Sequence, residues 1–132
     1  MSGEKDLQKL LKQMKPELNS GEFVFASVTN LETVLRKYTL FEFKEKEGIT
    51  VVLEKSKADV LGLSYRFISS WITLKVHSSL EAVGLTAAFS SVLTEEEISC
   101  NVVAGFYHDH IFVDVKDAKK AIDVLTNFSK NH

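Results

Sequence analysis

The strongest constraint on this chain is that it repeats itself. ITVVLEKSKADVLGL, from Ile49 to Leu63, lies over IFVDVKDAKKAIDVL, from Ile111 to Leu125, at a shift of 62 residues. Val51 then meets Val113, Leu53 meets Val115, Val60 meets Ile122 and Leu63 meets Leu125. Upstream, Thr29-x-x-Glu32 after Val28 echoes Ser78-x-x-Glu81 after Val76. Few letters are shared, but the hydropathy pattern is shared throughout. Each copy therefore reads as one supersecondary unit: strand, helix, strand, strand, helix, with the first helix contracted in the first copy.

The elements follow from periodicity. Leu7, Leu10, Leu11 and Met14 form one apolar stripe on a short leading helix, which Pro16, the only proline, prevents from continuing. Phe23 to Val28 reads as a buried strand. Phe41 and Phe43 alternate with Glu42 and Lys44, and Ile49 to Leu53 returns after a turn at Glu47-Gly48. Ser56 with Asp59 resembles a capping box for a helix ending near Gly62. In the second half, Ile72, Leu74 and Val76 alternate with polar residues, and Ser78 with Glu81 is an S-x-x-E box. A helix with the stripe Leu85, Ala88, Phe89 and Val92 follows. Val102 to Phe106 and Ile111 to Val115 are strands, and Asp117 can cap a last helix with the stripe Ala118, Ala121, Ile122 and Leu125. Neither half shows a fourth strand after its last helix. We expect strands to be exchanged, with Tyr65 to Ile68 supplying one of them.

Composition narrows the functional classes. With 132 residues the chain suits one domain, or two small halves sharing a core. A net charge of -2 gives no electrostatic case for nucleic acid. No stretch approaches the roughly 20 apolar residues that span a bilayer. The charged N-terminus and the single cysteine, Cys100, point to a cytoplasmic protein rather than a disulfide-stapled secreted one. Cys100 reads as a small buried hydrophobe.

The stretch GFYHDHIFVDV, Gly105 to Val115, places His108, Asp109 and His110 between apolar runs. Under the 62-residue shift the triplet overlies the Glu47-Gly48 turn, so we expect two solvated histidines at a hairpin tip. A metal site would need further ligands from elsewhere. No nucleophile accompanies the histidines. The expectation is thus no catalytic residue, no metal and no cofactor.

VHSSLEAVGLTAAFSSVLTEEEISCNVVAG, Val76 to Gly105, resembles an ACT domain. The similarity rests on Val83-Gly84-Leu85-Thr86-Ala87 at a helix start and on Ile98-Ser99-Cys100-Asn101 before a strand. It is specific in the second half and weak in the first. It is nearest to the ACT modules of aspartokinases and to small stand-alone bacterial proteins with tandem ACT-like halves. The sequence departs from the family at Glu96-Glu97, where ACT helices usually end in Ala-Gly. A left-handed glutamate is strained, so the helix end is expected to be adjusted there.

The resemblance implies an α+β fold of two ferredoxin-like halves, antiparallel sheets with helices on one face. The halves would be 1–69 with the leading helix and 70–132, together one folding unit. It also implies a regulatory protein, not an enzyme, that binds a free amino acid. By position, the ligand contacts would be Ser78, Ser79, Leu80, Val83, Gly84 and Leu85 at the loop and helix start, with Asn101 and Val102 on the next strand. Each has a competing reading. Ser78 and Glu81 can simply cap a helix, Gly84 can serve close packing, and Asn101 can bond its own backbone. The alternative function is a structural or adaptor module that keeps the fold without a ligand. Phe41, Phe43 and Trp71 could form a homodimer interface, and a metabolic enzyme is the other candidate partner. No membrane or nucleic-acid partner is expected.

Overall fold

A computed structural model describes residues 6–33, 36–76 and 83–132. In chain order it contains α1 (Leu7–Gln13), β1 (Lys15–Leu18), β2 (Phe23–Val28), two 3-10 turns (Leu31–Thr33 and Arg36–Tyr38), β3 (Thr39–Lys44), β4 (Ile49–Glu54), α2 (Lys55–Leu61) and β5 (Arg66–Lys75). Then come α3 (Leu85–Glu95), β6 (Cys100–Ala104), β7 (Asp109–Asp114), a third 3-10 turn (Val115–Asp117) and α4 (Ala118–Lys130). The fold is α+β and ferredoxin-like in two halves. The chain divides into two compact units, Gly21–Ser69 and Met1–Ser20 with Ser70–His132. The division falls inside β5.

In the unit Gly21–Ser69 the strand order is β3-β4-β2-β5, with antiparallel pairing. Its core is built from Val24, Ala26 and Val28 of β2, Val51 and Leu53 of β4, and Ala58 of α2. The alternation of β2 and β4 puts these on one face. Val52 turns to the other face and is also fully buried, with Phe25 and Phe41 beside it in register. The contracted helix is the pair of 3-10 turns. Asn30, not Thr29, serves its start, its side-chain oxygen accepting from the Glu32 N–H at 3.0 Å. α2 ends as expected at Gly62, φ 69. Its start is not the expected capping box, because the N-cap is Glu54. Asp59 instead accepts from Lys55 Nζ at 3.0 Å and from the Tyr65 hydroxyl at 2.8 Å. This holds the Asp59 carboxyl below its usual range, through the Tyr65 bond first and the Lys55 bond second.

In the other unit the order is β1-β5-β7-β6. β1 comes first in the chain yet stands as the missing fourth strand of the second half. It pairs with β5 from Lys15↔Lys75 to Leu18↔Ile72. Pro16 is tolerated because β1 is an edge strand, where one N–H can be dispensed with. The leading segment therefore packs with residues 70–132, not with the first half. The cause is the stripe on α1: Leu10, Leu11 and Met14 are buried among Ile72, Leu74, Phe89, Leu93, Ile111, Val113, Ala121 and Leu125. Ser129 of α4, itself buried, donates to the Leu11 carbonyl at 2.7 Å and so ties the two helices together.

Two helix ends differ from expectation. α4 has Asp117 as N-cap without a side-chain cap bond; Asp114 instead bonds the Lys116 N–H at 3.0 Å. The end of α3 is not adjusted around its glutamates. Glu97 takes the left-handed conformation, φ 59, and the Ile98 N–H reaches back to the Leu93 carbonyl at 3.0 Å. This is a Schellman end with a glutamate where glycine is preferred. Ile98, buried at that turn, supplies the accompanying apolar contact.

Candidate functional site

The HDH triplet is not a hairpin tip. The turn is Gly105 to His108, closed by the Gly105 N–H on the His108 carbonyl at 2.9 Å, and its exposed tip is Phe106 and Tyr107. β7 already begins at Asp109. Asp109 pairs with Ala104 and is buried, which raises its carboxyl pKa, with His108 partly opposing. His110 is half-buried on the face of the sheet away from the helices. There its Nδ1 accepts from the Trp71 indole N–H at 3.0 Å and lies 3.1 Å from the Thr73 hydroxyl. Asn19 completes the network, its side-chain amide donating to Thr73 Oγ1 at 3.0 Å and to the Trp71 carbonyl at 3.2 Å. Burial first, and His108 second, lower the His110 pKa. With Nδ1 accepting from an indole, the neutral ring carries its proton on Nε2. Among the described residues no group of three or more His, Cys, Asp or Glu side chains could hold a metal.

Trp71 is therefore engaged inside its own unit. Cys100 is half-buried against the core, and burial raises its thiol pKa. This environment suits an inert thiol.

The residues expected to hold a ligand fall in different places. Ser78, Ser79 and Leu80, with Glu81, lie outside the described residues. α3 itself starts at Leu85 with Gly84 as N-cap. Gly84 has φ 95, and a Cβ there would meet Leu7 Cδ2 of α1 at 3.1 Å. The glycine thus serves both its own backbone conformation and the close packing of α1. Val83 is 83% exposed beside it, while Leu85 is buried in the core. Asn101 and Val102 point to opposite faces of β6. Val102 pairs with Ile111 on the helix side, and Asn101 pairs with Phe112 on the helix-free side. Asn101 and the start of α3 therefore do not converge on one ligand.

At α3 the helix has eleven residues, no acidic residue in its first turn and, among the described residues, no side-chain cap. Its first N–H groups and the positive end of its dipole suit a carboxylate.

Each unit has four strands in ferredoxin-like order, the second helix of each and the first helix of the second half in regular α form. That arrangement defines a tandem of small ferredoxin-like α+β modules. The ACT domain pattern matches residues 2–70 and again residues 66–127, and the chain belongs to the ACT domain family. Among solved structures it is similar to a protein of unknown function from Vibrio cholerae, described as a possible transport protein. That similarity is 48% identity over 95% of this chain and 97% of the other, with a TM-score of 0.85. The fold is also shared with Clostridium acetobutylicum aspartate kinase at 14% identity, TM-score 0.65, over 90% of this chain and 34% of the kinase. The regulatory subunit of aspartate kinase from Thermus thermophilus, in its ligand-free form, shares it at 4% identity, TM-score 0.62, over 85% and 95%. A comparison with curated proteins gives no match.

Proposed function

We propose that this is a non-catalytic, amino-acid-binding regulatory protein, with the ligand carboxylate on the N-terminus of α3. The start of that helix, which has no side-chain cap among the described residues, in a chain of the ACT family, carries the reading. The loop Ser78, Ser79, Leu80 and Val83 would complete the contacts, with Gly84 and Leu85 contributing backbone N–H groups. Asn101 belongs to the proposal only through a second copy, since it faces the helix-free side, while Val102 lies on the helix side with α3. A self-associating surface would lie on the edge strand β3, where Phe43 is 60% exposed and its ring sits 6.4 Å from that of Phe41. A cytoplasmic location fits this reading, and a metabolic enzyme is the natural regulated partner. The adaptor reading is favoured by one observation: Leu7 packed on Gly84 explains that glycine without a ligand.

A thermal-shift screen against the common amino acids separates the two. Ligand at 100-fold over Kd should stabilise by about 2.7 kcal/mol. Thr86→Asp then tests the position. Thr86 is exposed in the first turn, so a carboxylate there should stabilise the free protein by about 0.3–1 kcal/mol while weakening the ligand. If no amino acid binds at millimolar concentration, the adaptor reading replaces this one; if one binds and Thr86→Asp leaves its binding unchanged, the carboxylate does not sit on α3.

A further inference from the structure

The unit Gly21–Ser69 contains a cleft of about 560 Å³ lined by none of the residues proposed above to hold the amino acid. Its origin is a defect in strand pairing. β2 pairs with β5 at Phe23↔Ser69 and Val24↔Ile68, then slips to Phe25↔Arg66. The skipped residue, Phe67, is a left-handed aromatic at φ 62, a conformation bulky L-residues avoid. Its ring sits 6.2 Å from that of Phe25. Past the slip β5 has ended, while β2 runs on to Val28, so no described strand pairs with that side of Ala26–Val28. The cleft fills the space this leaves. Phe25 and the ring of Tyr65 give it apolar walls, and Ser27 and Ser64 contribute hydroxyls, while the Thr50 hydroxyl already donates to the Glu45 carboxylate. Gly48 brings the neighbouring hairpin down on Ser27: a Cβ there would lie 2.7 Å from Ser27 Oγ.

Arg66 is the only charged residue in the lining, is exposed, and pairs with no carboxylate among the described residues. A guanidinium at the mouth of a mostly apolar cleft is fitted to one carboxylate, which it can grip with two parallel N–H groups. The volume lies within the range of small-molecule sites. A strained backbone residue at the cleft edge is the kind of feature that persists where the surroundings hold a site in shape.

We propose that this cleft binds a small monocarboxylate with an apolar body, its carboxylate on Arg66 and its body against Phe25. The site is separate from the α3 N-terminus and stands or falls independently of the amino-acid reading. The probes are 3-phenylpropionate and its uncharged counterpart, 3-phenylpropanol, titrated into the full chain while backbone amide signals are followed by NMR. The acid should shift the amides of Ser27, Ser64 and Arg66 saturably, and the alcohol should bind about tenfold or more weakly. Arg66→Gln should lose about the same factor for the acid and little for the alcohol. Arg66→Lys should recover part of it, as a point charge without the fork. The α3 amides should stay unmoved in all these titrations. The proposal is overturned if the acid moves none of the three amides, if acid and alcohol bind alike, or if Arg66→Gln binds the acid as the wild type does.

Discussion

Replacing Glu97 by glycine should make the protein more stable. Glu97 sits at φ 59 in the turn that ends α3. An L-residue there carries a Cβ clash of about 1–2 kcal/mol, which glycine lacks. Glycine loses more chain entropy on folding, offsetting about 0.5–1 kcal/mol of that gain. The substitution also removes a negative charge from the negative end of the helix dipole, a gain of about 0.3–1 kcal/mol. Glu97 is exposed and makes no described side-chain contact, so nothing is lost in packing. The net is a stabilisation of about 1 kcal/mol. At about 2.1 cal/mol/K per residue, a chain of 132 residues has an unfolding entropy of about 280 cal/mol/K, so the melting temperature should rise by about 4 °C. Calorimetry on three variants separates the causes. Glu97→Ala removes the charge and keeps the Cβ, so it should gain only the dipole part. Glu97→Asn tolerates the left-handed region and should lie between alanine and glycine. If alanine matches glycine, the strain argument is wrong and charge alone explains the effect.

Gly84→Val should destabilise by several kcal/mol in urea unfolding, because valine at φ 95 is strained and its Cβ meets Leu7 at 3.1 Å; a neutral result would show that α1 does not pack there. Ser129→Ala removes a buried donor from the Leu11 and Lys12 carbonyls, at 2.7 and 3.2 Å, and should cost about 1–3 kcal/mol. Because burial lowers the His110 pKa, its neutral form favours the fold; that contribution is complete above the unfolded histidine pKa of about 6.5 and is lost as pH falls below it. His110→Gln should therefore flatten the stability profile between about pH 7 and 5, and an unchanged slope would refute the burial argument. Since the two units divide within one strand, heating should give a single transition, and two resolved calorimetric peaks would count against one folding unit.

Much of the architecture was legible because it rests on periodicity. The stripe on α1, the apolar run of β2, the alternation of β3 and β5, and the Gly62 helix end all follow from local spacing and local backbone needs. The error at the HDH triplet is instructive. In the structure Ile49 and Asp109 open equivalent strands, a shift of 60 residues, not the 62 that aligns the letters best. A slip of two keeps every side chain on its proper face, so the hydropathy pattern cannot detect it. It did move the turn by two residues, and so turned a half-buried histidine into an apparent loop residue. The Trp71–His110–Thr73–Asn19 network depends on partners up to 54 residues apart, which no local pattern encodes. Arg66 was missed because the cleft arises from a register slip at Phe67, and neither residue belongs to a motif. β1 was hidden by its proline, which reads as a break until the strand is seen to lie at an edge.

The placement of β1 and α1 also has a consequence during synthesis. Residues 21–69 are contiguous, so their own strand pairs draw on no residue made later. The segment ahead of them does, because the Leu11 carbonyl waits for Ser129, 118 residues later. At about 5–20 residues per second, the apolar stripe of Leu10, Leu11 and Met14 emerges on the order of ten seconds before α4 is made. For that interval the nascent chain carries a greasy stripe whose partners are not yet made, which exposes Leu10, Leu11 and Met14 to chaperones and to mispairing with a neighbouring chain.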